Sequence, residues 1–524
     1  MAQGLTSLEV LQLHAPHGDT LWSLLASRAA GRGAHPLIEF EGDVITYAQA
    51  LERAGAFVAW FAARGVRGGD RVALMCHNHP CVALIWFALA RLGAIMVPIN
   101  PEFGPTEAGY ILGHAEVAGV VCDPGAVDTV RAATAGMRAE PWIVLRDAMT
   151  TDATLSDRSA SADSADATCL LIYTSGTTGF PKGVMHAQRS MVMGGEAFVE
   201  RILAQPDERI LCVLPMFHMN ALVYSLCGTI AAGATMILVA RFSAGSFWQT
   251  VAASRATEVN TIAALSNILI ARPRAEFVPG HTLRKIYGAP FPAAAIEVFN
   301  REFGVPTVLE GYGMSEIPGV LNNPVEPGPR PGSMGVLARH PDHSRPFSQV
   351  RIIDDAGNEV AAGVTGEITV RTPIIMQGYW RDPEQTRAAF RDGWFLTGDL
   401  GCRDADGYYW FVARKKDIIR RRGENISGAE LDRVIGEHPG VAEAAALAVP
   451  APLGEDDILV AVVRRPGAQV SAPEVADWCR SRLAAHKVPR YVAFVDDLPH
   501  TPTHRVAKHR MRAAELQAAA VDLG

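Results

Sequence analysis

Apolar residues along the first 400 positions fall into two alternating kinds of segment: short solid runs, and longer stretches with helical spacing. "RVALMC" (71–76) is a solid run of the kind found in buried strands. "PCVALIWFALARLG" (80–93) puts Val82, Ile85, Leu89 and Leu92 on one helical face, and "AIMVPIN" (94–100) is solid again. Strand, helix, strand in that order predicts a βαβ unit, and with it a parallel sheet covered by helices. Residues 210–240 contain no Asp, Glu, Lys or Arg, and "ALVYSLCGTIAAGATMILVA" within them is long enough to span a bilayer. Gly228, Gly233 and the β-rich "TMILVA" divide that stretch, so a short helix and a buried strand are expected instead. The polar, acidic "TTDATLSDRSASADSADAT" (150–168) reads as a solvated loop.

The pattern changes near "GYYWFVARKKDIIRRRGENIS" (407–427), where an aromatic strand runs into a dense basic stretch. Beyond it, "VAEAAALAV" and "DILVAVVRR" read as strands, and Ser471 with Glu474 forms a capping box for the helix "APEVADWCRSRLA". The expected fold is therefore α/β: a large N-terminal domain of helix-covered sheets (1–413) and a smaller α+β C-terminal domain (414–524) on a hinge.

Composition adds boundaries. A chain of 524 residues, 49% hydrophobic and 20% charged, matches a globular protein of more than one domain. Its formal net charge of −7 gives no reason to expect nucleic acid or an anionic membrane as partner, although a local basic pocket could still take an anion. The cysteines at 76, 81, 122, 169, 212, 227, 402 and 479 form no CxxC pair and no zinc-spaced cluster. A reducing, cytoplasmic setting without structural metal follows as the expectation. The N-terminal stretch has no basic region ahead of an apolar core, so no secretory signal is expected.

The chemistry concentrates first in "YTSGTTGFPKGV" (173–184), directly after the apolar run "CLLIY". Small residues let a backbone approach an anion closely, and successive N–H groups in such a loop form an anion-binding concavity. Ser175, Thr177 and Thr178 add hydroxyls and Lys182 a mobile cation, a set suited to polyphosphate. The Walker A spacing fails, because Lys182 is followed by Gly183. A glycine-rich turn without a ligand is the competing reading of this loop taken alone.

The whole string resembles the phosphate-loop signature of the adenylate-forming superfamily, which comprises acyl-CoA synthetases, peptide-synthetase adenylation domains and beetle luciferases. Later stretches resemble that family's further motifs in its order: "LPMFHMNAL" (214–222), "YGAPF" (287–291), "EGYGMSE" (310–316), "GWFLTGDLG" (393–401), "ARKKDIIRRRGENISGAEL" (413–431), "LAAHKVP" (483–489) and "LPHTPTHRVAKHRMR" (498–512). The resemblance implies a two-step reaction. A small-molecule carboxylic acid attacks the α-phosphorus of ATP, giving acyl-AMP and pyrophosphate, and coenzyme A then displaces AMP.

By the same resemblance, Thr174, Ser175, Gly176, Thr177, Thr178, Gly179 and Lys182 hold the β- and γ-phosphates. Gly288, Ala289 and Pro290 form the adenine-side turn, and Tyr312, between Gly311 and Gly313, stacks on the base. Met314 and Ser315 continue that motif. Glu316, helped by Thr177, is the expected Mg2+ ligand, a hard oxygen donor. Asp399 would bind both ribose hydroxyls and Arg414 ribose and phosphate. Phe217 and His218 lie in the stretch that walls the acyl pocket in relatives, with Asn220 where glycine is frequent. Lys416 sits at the family's pivot, and Gly423 lets pantetheine pass. The neighbouring Arg420, Arg421 and Arg422 would meet the nucleotide phosphates of coenzyme A.

One departure bears on catalysis. The family commonly reads T-G-K-[IV]-x-[KR] near its C-terminus, but here His504 takes the glycine position and Arg505 the lysine position, with Lys508 as the second basic residue. Arg505 keeps the charge with a larger planar fork, so the exchange is not conservative. Either Arg505 does the lysine's work, or Lys508 reaches in, or adenylation is crippled.

An acyl-CoA ligase is the leading expectation, with "FHMNAL" and "TPTHRVAK" most like ligases of the carnitine/crotonobetaine type acting on small or medium polar acids. A free-standing adenylating enzyme that charges a carrier protein, and a degenerate nucleotide-binding protein, are the alternatives. Neither nucleic acid nor a transmembrane segment is expected, and a homodimer stays open.

Overall fold

A computed structural model describes residues 4–149, 164–174, 181–288, 291, 293–421, 424–451, 456–500 and 506–524. The chain forms two compact units. The larger holds the chain up to Gly176 with Phe180–Val350 and Val370–Trp394, and the smaller holds Arg351–Thr369 and Phe395–Gly524.

Two sheets build the larger unit. In the first, the expected βαβ unit is present: strands Arg71–Met75 and Ile95–Pro98 are parallel, with Val72 opposite Met96, and helix Pro80–Arg91 connects them. Every helical residue from Pro80 to Ala90 is buried, not one face only. The sheet covers one side, and helices Leu21–Arg32 and Tyr47–Ala63 pack on the other. A helix enclosed on all sides has no use for a polar face. Across the sheet the order is Gly378–Tyr379, Lys182–Ala187, Thr168–Thr174, Ile95–Pro98, Arg71–Met75, Gly119–Cys122, Trp142–Leu145.

The second sheet has nine strands. Its central members, Glu258–Asn260, Arg209–Cys212 and Thr235–Leu238, are parallel, so their carboxyl ends lie on one edge. The charge-free stretch 210–240 resolves into a strand, a π-helix Asn220–Cys227, a short helix Gly228–Ala232 and the buried strand Thr235–Leu238. Gly233, at φ +70°, ends the helix in the left-handed region. Among the described residues no helix is long and apolar enough to cross a membrane.

In the smaller unit, Val441–Pro450 and Asp456–Arg464 are antiparallel, and Tyr491–Val495 lies parallel to the latter. Helix Ala472–Arg480 begins in the expected capping box, with Ser471 and Glu474 exchanging side-chain and backbone hydrogen bonds. Ile419, Ile426, Leu431, Val460 and Val475 belong to this unit's own apolar core.

Candidate active site

Two paired strands flank the phosphate-loop sequence. Strands Thr168–Thr174 and Lys182–Ala187 are antiparallel, with Thr174 opposite Lys182 and Tyr173 opposite Gly183. Ser175, Gly176, Thr177, Thr178 and Gly179 lie outside the described residues, as do Ala289, Pro290, Gly423 and Arg505. The lysine thus stands on the returning strand, fixed by ladder bonds, rather than at the start of a helix as in a Walker A loop.

Three side chains of the larger unit then line up. Strand Gly378–Tyr379 pairs with the lysine's strand, setting Tyr379 opposite Val184. The Lys182 Nζ lies 5.1 Å from the centre of the Tyr379 ring. From the same residue, Oη donates to Glu316 Oε1 at 3.0 Å. A cation on a ring face and a hydroxyl on a carboxylate are both favourable. Burial and the adjacent Glu316 push the Tyr379 phenol well above its ordinary pKa, so it remains the donor.

Glu316 itself is 7% exposed and occupies the turn between strands Thr307–Met314 and Ile317–Asn322, where Met314 pairs with Ile317. Two bonds fix that turn from outside. Met376 N–H donates to Glu316 O at 2.8 Å, and His186 Nε2 lies 2.7 Å from Ser315 O. His186 is fully buried, and burial lowers its pKa to about 4. It is therefore neutral at pH 7 and donates from Nε2. Neither Tyr379 nor His186 was legible as a site residue in the sequence; each reaches Glu316 or its turn only through strand pairing.

The glycines of "EGYGMSE" are explained from behind. A Cβ on Gly311 would come within 2.2 Å of Tyr287 Oη, and one on Gly313 within 2.3 Å of Gly319 N. Close packing of this hairpin thus requires both glycines before any ligand is considered. Tyr312 between them is 9% exposed. Gly288 is likewise enclosed, 2.8 Å from Thr261 O at its would-be Cβ. Glu310, paired with Gly288 across the strands, accepts the Phe291 N–H at 3.3 Å. Burial raises its pKa to about 7.

His218 and Phe217 are half-buried with ring centres 4.6 Å apart. Burial lowers the His218 pKa to about 4, leaving a neutral imidazole at pH 7. Asn220 opens the π-helix, and its buried Oδ1 has no hydrogen-bond partner among the described residues.

In the smaller unit, strands Trp394–Arg403 and Tyr409–Arg414 place Asp399 opposite Arg414, whose Nε lies 3.1 Å from Asp399 Oδ1. The "TGD" string has a local reason. Gly398 adopts φ +69°, and Thr397 Oγ1 both accepts the Asp399 N–H (3.1 Å) and donates to Ile368 O (2.7 Å). Asp399 is 2% exposed, a carboxylate held ready with its counter-ion. Lys416 lies in a 3₁₀ turn, Lys415–Asp417, and its neighbour Lys415 is held by Glu367 and Asp355 at 3.0 and 3.2 Å.

The basic stretch divides. Arg421 is buried, with Nε 2.9 Å from Asp457 and its Nη1 donating to His486 O and Val488 O. Its guanidinium is committed to the fold, so of the three arginines expected to meet coenzyme A it is not available. Arg420 is exposed, and Arg422 lies outside the described residues. Lys508 is also engaged: its Nζ lies 2.6 Å from Asp432 Oδ2, while Asp432 Oδ1 accepts the Ala446 N–H.

The AMP-binding enzyme model covers residues 25–380, and the model of the AMP-binding enzyme C-terminal domain covers 430–505. Feruloyl-CoA synthase of an Amycolatopsis species is 35% identical over 477 residues, covering 90% of this chain and 94% of its own. Sulfoacetate–CoA ligase of Cupriavidus necator is 32% identical over 503 residues, with 94% and 97% covered. The crystal structure of ATP-bound MatB from Rhodopseudomonas palustris superposes with a TM-score of 0.84 at 29% identity, covering 98% of this chain and 100% of that one. The chain belongs to the AMP-binding enzyme family, and within it is an AMP-forming acid–thiol ligase that activates a carboxylic acid with ATP and passes the acyl group to coenzyme A.

Proposed function

We propose that Lys182, Tyr379 and Glu316 form the phosphate side of the adenylation centre, and that Arg505 supplies the cation that accompanies the acid. The Tyr379 side chain, with its ring under Lys182 Nζ and its hydroxyl on Glu316, carries this reading, because it sets a cation and a carboxylate on one residue. Lys182, together with the hydroxyls of Ser175, Thr177 and Thr178, would bind the β- and γ-phosphates. Tyr312 and the turn Gly288–Pro290 would receive adenine, and Asp399 with Arg414 the ribose. Adenylation brings two anions together, so cations placed in advance lower its barrier.

Glu316 fits magnesium by donor chemistry: it is a nearly buried carboxylate that accepts a hydrogen bond from the Tyr379 hydroxyl. The ion, when bound, would screen phosphate charge. Thr177 is the second proposed ligand.

Lys508 is disfavoured as the catalytic cation, since withdrawing it would strand the partly buried Asp432. That supports Arg505. A boundary at 413/414 with Lys416 as pivot is proposed for the change from adenylation to thiol attack, a hinge closure in kind. Arg420, Arg422 and Gly423 are proposed to face coenzyme A. For the acid, a carboxylate bearing a further polar group is proposed, because the buried Asn220 Oδ1 has no hydrogen-bond partner among the described residues. Sulfoacetate and ferulate, named in the relatives, are acids of that kind. A cytoplasmic location is proposed on the eight free cysteines.

Pyrophosphate release across a panel of polar and apolar acids, with and without coenzyme A, tests the reading. Arg505→Ala should abolish release while Lys508→Ala retains it. Full adenylation by Arg505→Ala would overturn the assignment.

A further inference from the structure

Asn78 joins the two sheets of the larger unit at the segment that carries His218. It follows strand Arg71–Met75, at that strand's carboxyl end, and is 7% exposed. Both amide N–H donors and the amide oxygen are engaged. Nδ2 donates to Leu214 O and to Val239 O, both at 3.0 Å, and Oδ1 accepts the Met216 N–H at 2.7 Å. Leu214 and Met216 follow strand Arg209–Cys212, and Val239 follows Thr235–Leu238. One amide therefore ties the carboxyl end of a strand in the first sheet to the carboxyl ends of two parallel strands in the second, the strand ends at which ligands bind in such folds.

The loop presenting Asn78 is itself held on both sides. The His77 N–H donates to Asp123 Oδ2 at 2.8 Å, and His79 Nδ1 accepts the Cys81 N–H to cap helix Pro80–Arg91. On the receiving side, His218 N–H closes a turn onto Pro215 O at 3.0 Å, between the residues Asn78 grips and the π-helix. Asn suits this place because an amide offers two donors and an acceptor together; aspartate would only accept, and alanine would do neither.

We propose that Asn78 is a positioning residue for the acid pocket: by fixing Leu214, Met216 and Val239 it sets where Phe217 and His218 stand relative to the incoming carboxylate. This rests on the proposed role of residues 214–222 as the acid wall. Nothing else proposed for ATP depends on Asn78, so its effect is specific to one substrate.

The test uses the full-length enzyme and acid-dependent pyrophosphate release. Asn78→Ala should raise the KM for the acid by roughly 10- to 100-fold, since small misplacements at a distance have effects of that order. The KM for ATP should stay within about twofold. In a Phe217→Ala/His218→Ala background, Asn78→Ala should change the acid KM by less than about threefold, because its route of action is gone. Equal rises in both KM values, or an undiminished effect in the Phe217→Ala/His218→Ala background, would overturn the proposal. Should Asn78→Ala fail to fold, Asn78→Ser, which can replace one of the lost bonds, takes its place in the same measurements. Hydrogen–deuterium exchange gives a readout independent of the reaction. Faster exchange in the Asn78 variants should be confined to residues 213–220, with Met216 N–H most affected, and unchanged exchange there would refute the tie. If no acid supports turnover in the unaltered enzyme, the proposed function fails, while the exchange result still decides whether Asn78 holds the segment.

Discussion

Replacing Tyr379 with phenylalanine removes one atom and leaves the ring in place. The lost bond, 3.0 Å from hydroxyl to the Glu316 carboxylate, is charge-assisted. Hydrogen bonds to charged groups contribute about 1.5–3 kcal/mol. At 1.36 kcal/mol for each factor of ten, Tyr379→Phe should lower kcat/KM for adenylation by roughly 10- to 150-fold. Tyr379→Leu also takes away the ring 5.1 Å from Lys182 Nζ. A cation–π contact adds about 0.5–2 kcal/mol, so this variant should be the worse by a few-fold to roughly 30-fold. The two half-reactions are separable. Pyrophosphate release from acid and ATP, titrated with magnesium, reads the first; thioester formation from presynthesised acyl-adenylate and coenzyme A reads the second. Tyr379→Phe should need more magnesium in the first and stay within about twofold of the unaltered enzyme in the second. Wild-type adenylation by Tyr379→Phe, or equal loss in both halves, would refute the claim that this hydroxyl sets the phosphate side.

Two further outcomes concern stability. His186 has a folded pKa of about 4 against an ordinary 6.5, so the unfolded chain binds more protons between those values and stability falls as pH drops through that window. Relative to His186→Gln, the unaltered protein should lose about 2 kcal/mol between pH 7 and pH 5 in urea unfolding, and parallel curves would contradict the buried neutral imidazole. Arg421→Ala should destabilise the smaller unit by about 3 kcal/mol, at the low end for a broken buried pair because Arg490 remains 2.9 Å from Asp457. Arg420→Ala, by contrast, should leave the unfolding midpoint unchanged while raising the KM for coenzyme A; the reverse pattern would reassign the two arginines.

Much of this protein was legible along the chain. The solid run 71–76, the helical stretch 80–93 and the solid run 94–100 dictated a βαβ unit because side-chain period and backbone hydrogen bonding are local. Ser471 and Glu474 announced a helix start for the same reason. The ordered motifs marked both the family and its two-step chemistry, since each motif is a short string whose residues act together.

Tertiary structure decided the rest. Only strand pairing brings Tyr379, 63 residues beyond Glu316, onto that carboxylate. Only packing shows that Gly311 and Gly313 are small to make room for Tyr287 and Gly319, that Arg421 is spent on Asp457 and Lys508 on Asp432, and that Asn78 reaches 136 residues ahead to hold Leu214. A sequence states which groups exist and how neighbours will fold. Which buried donor meets which acceptor is fixed only when the sheets close and the great majority of polar groups inside them pair.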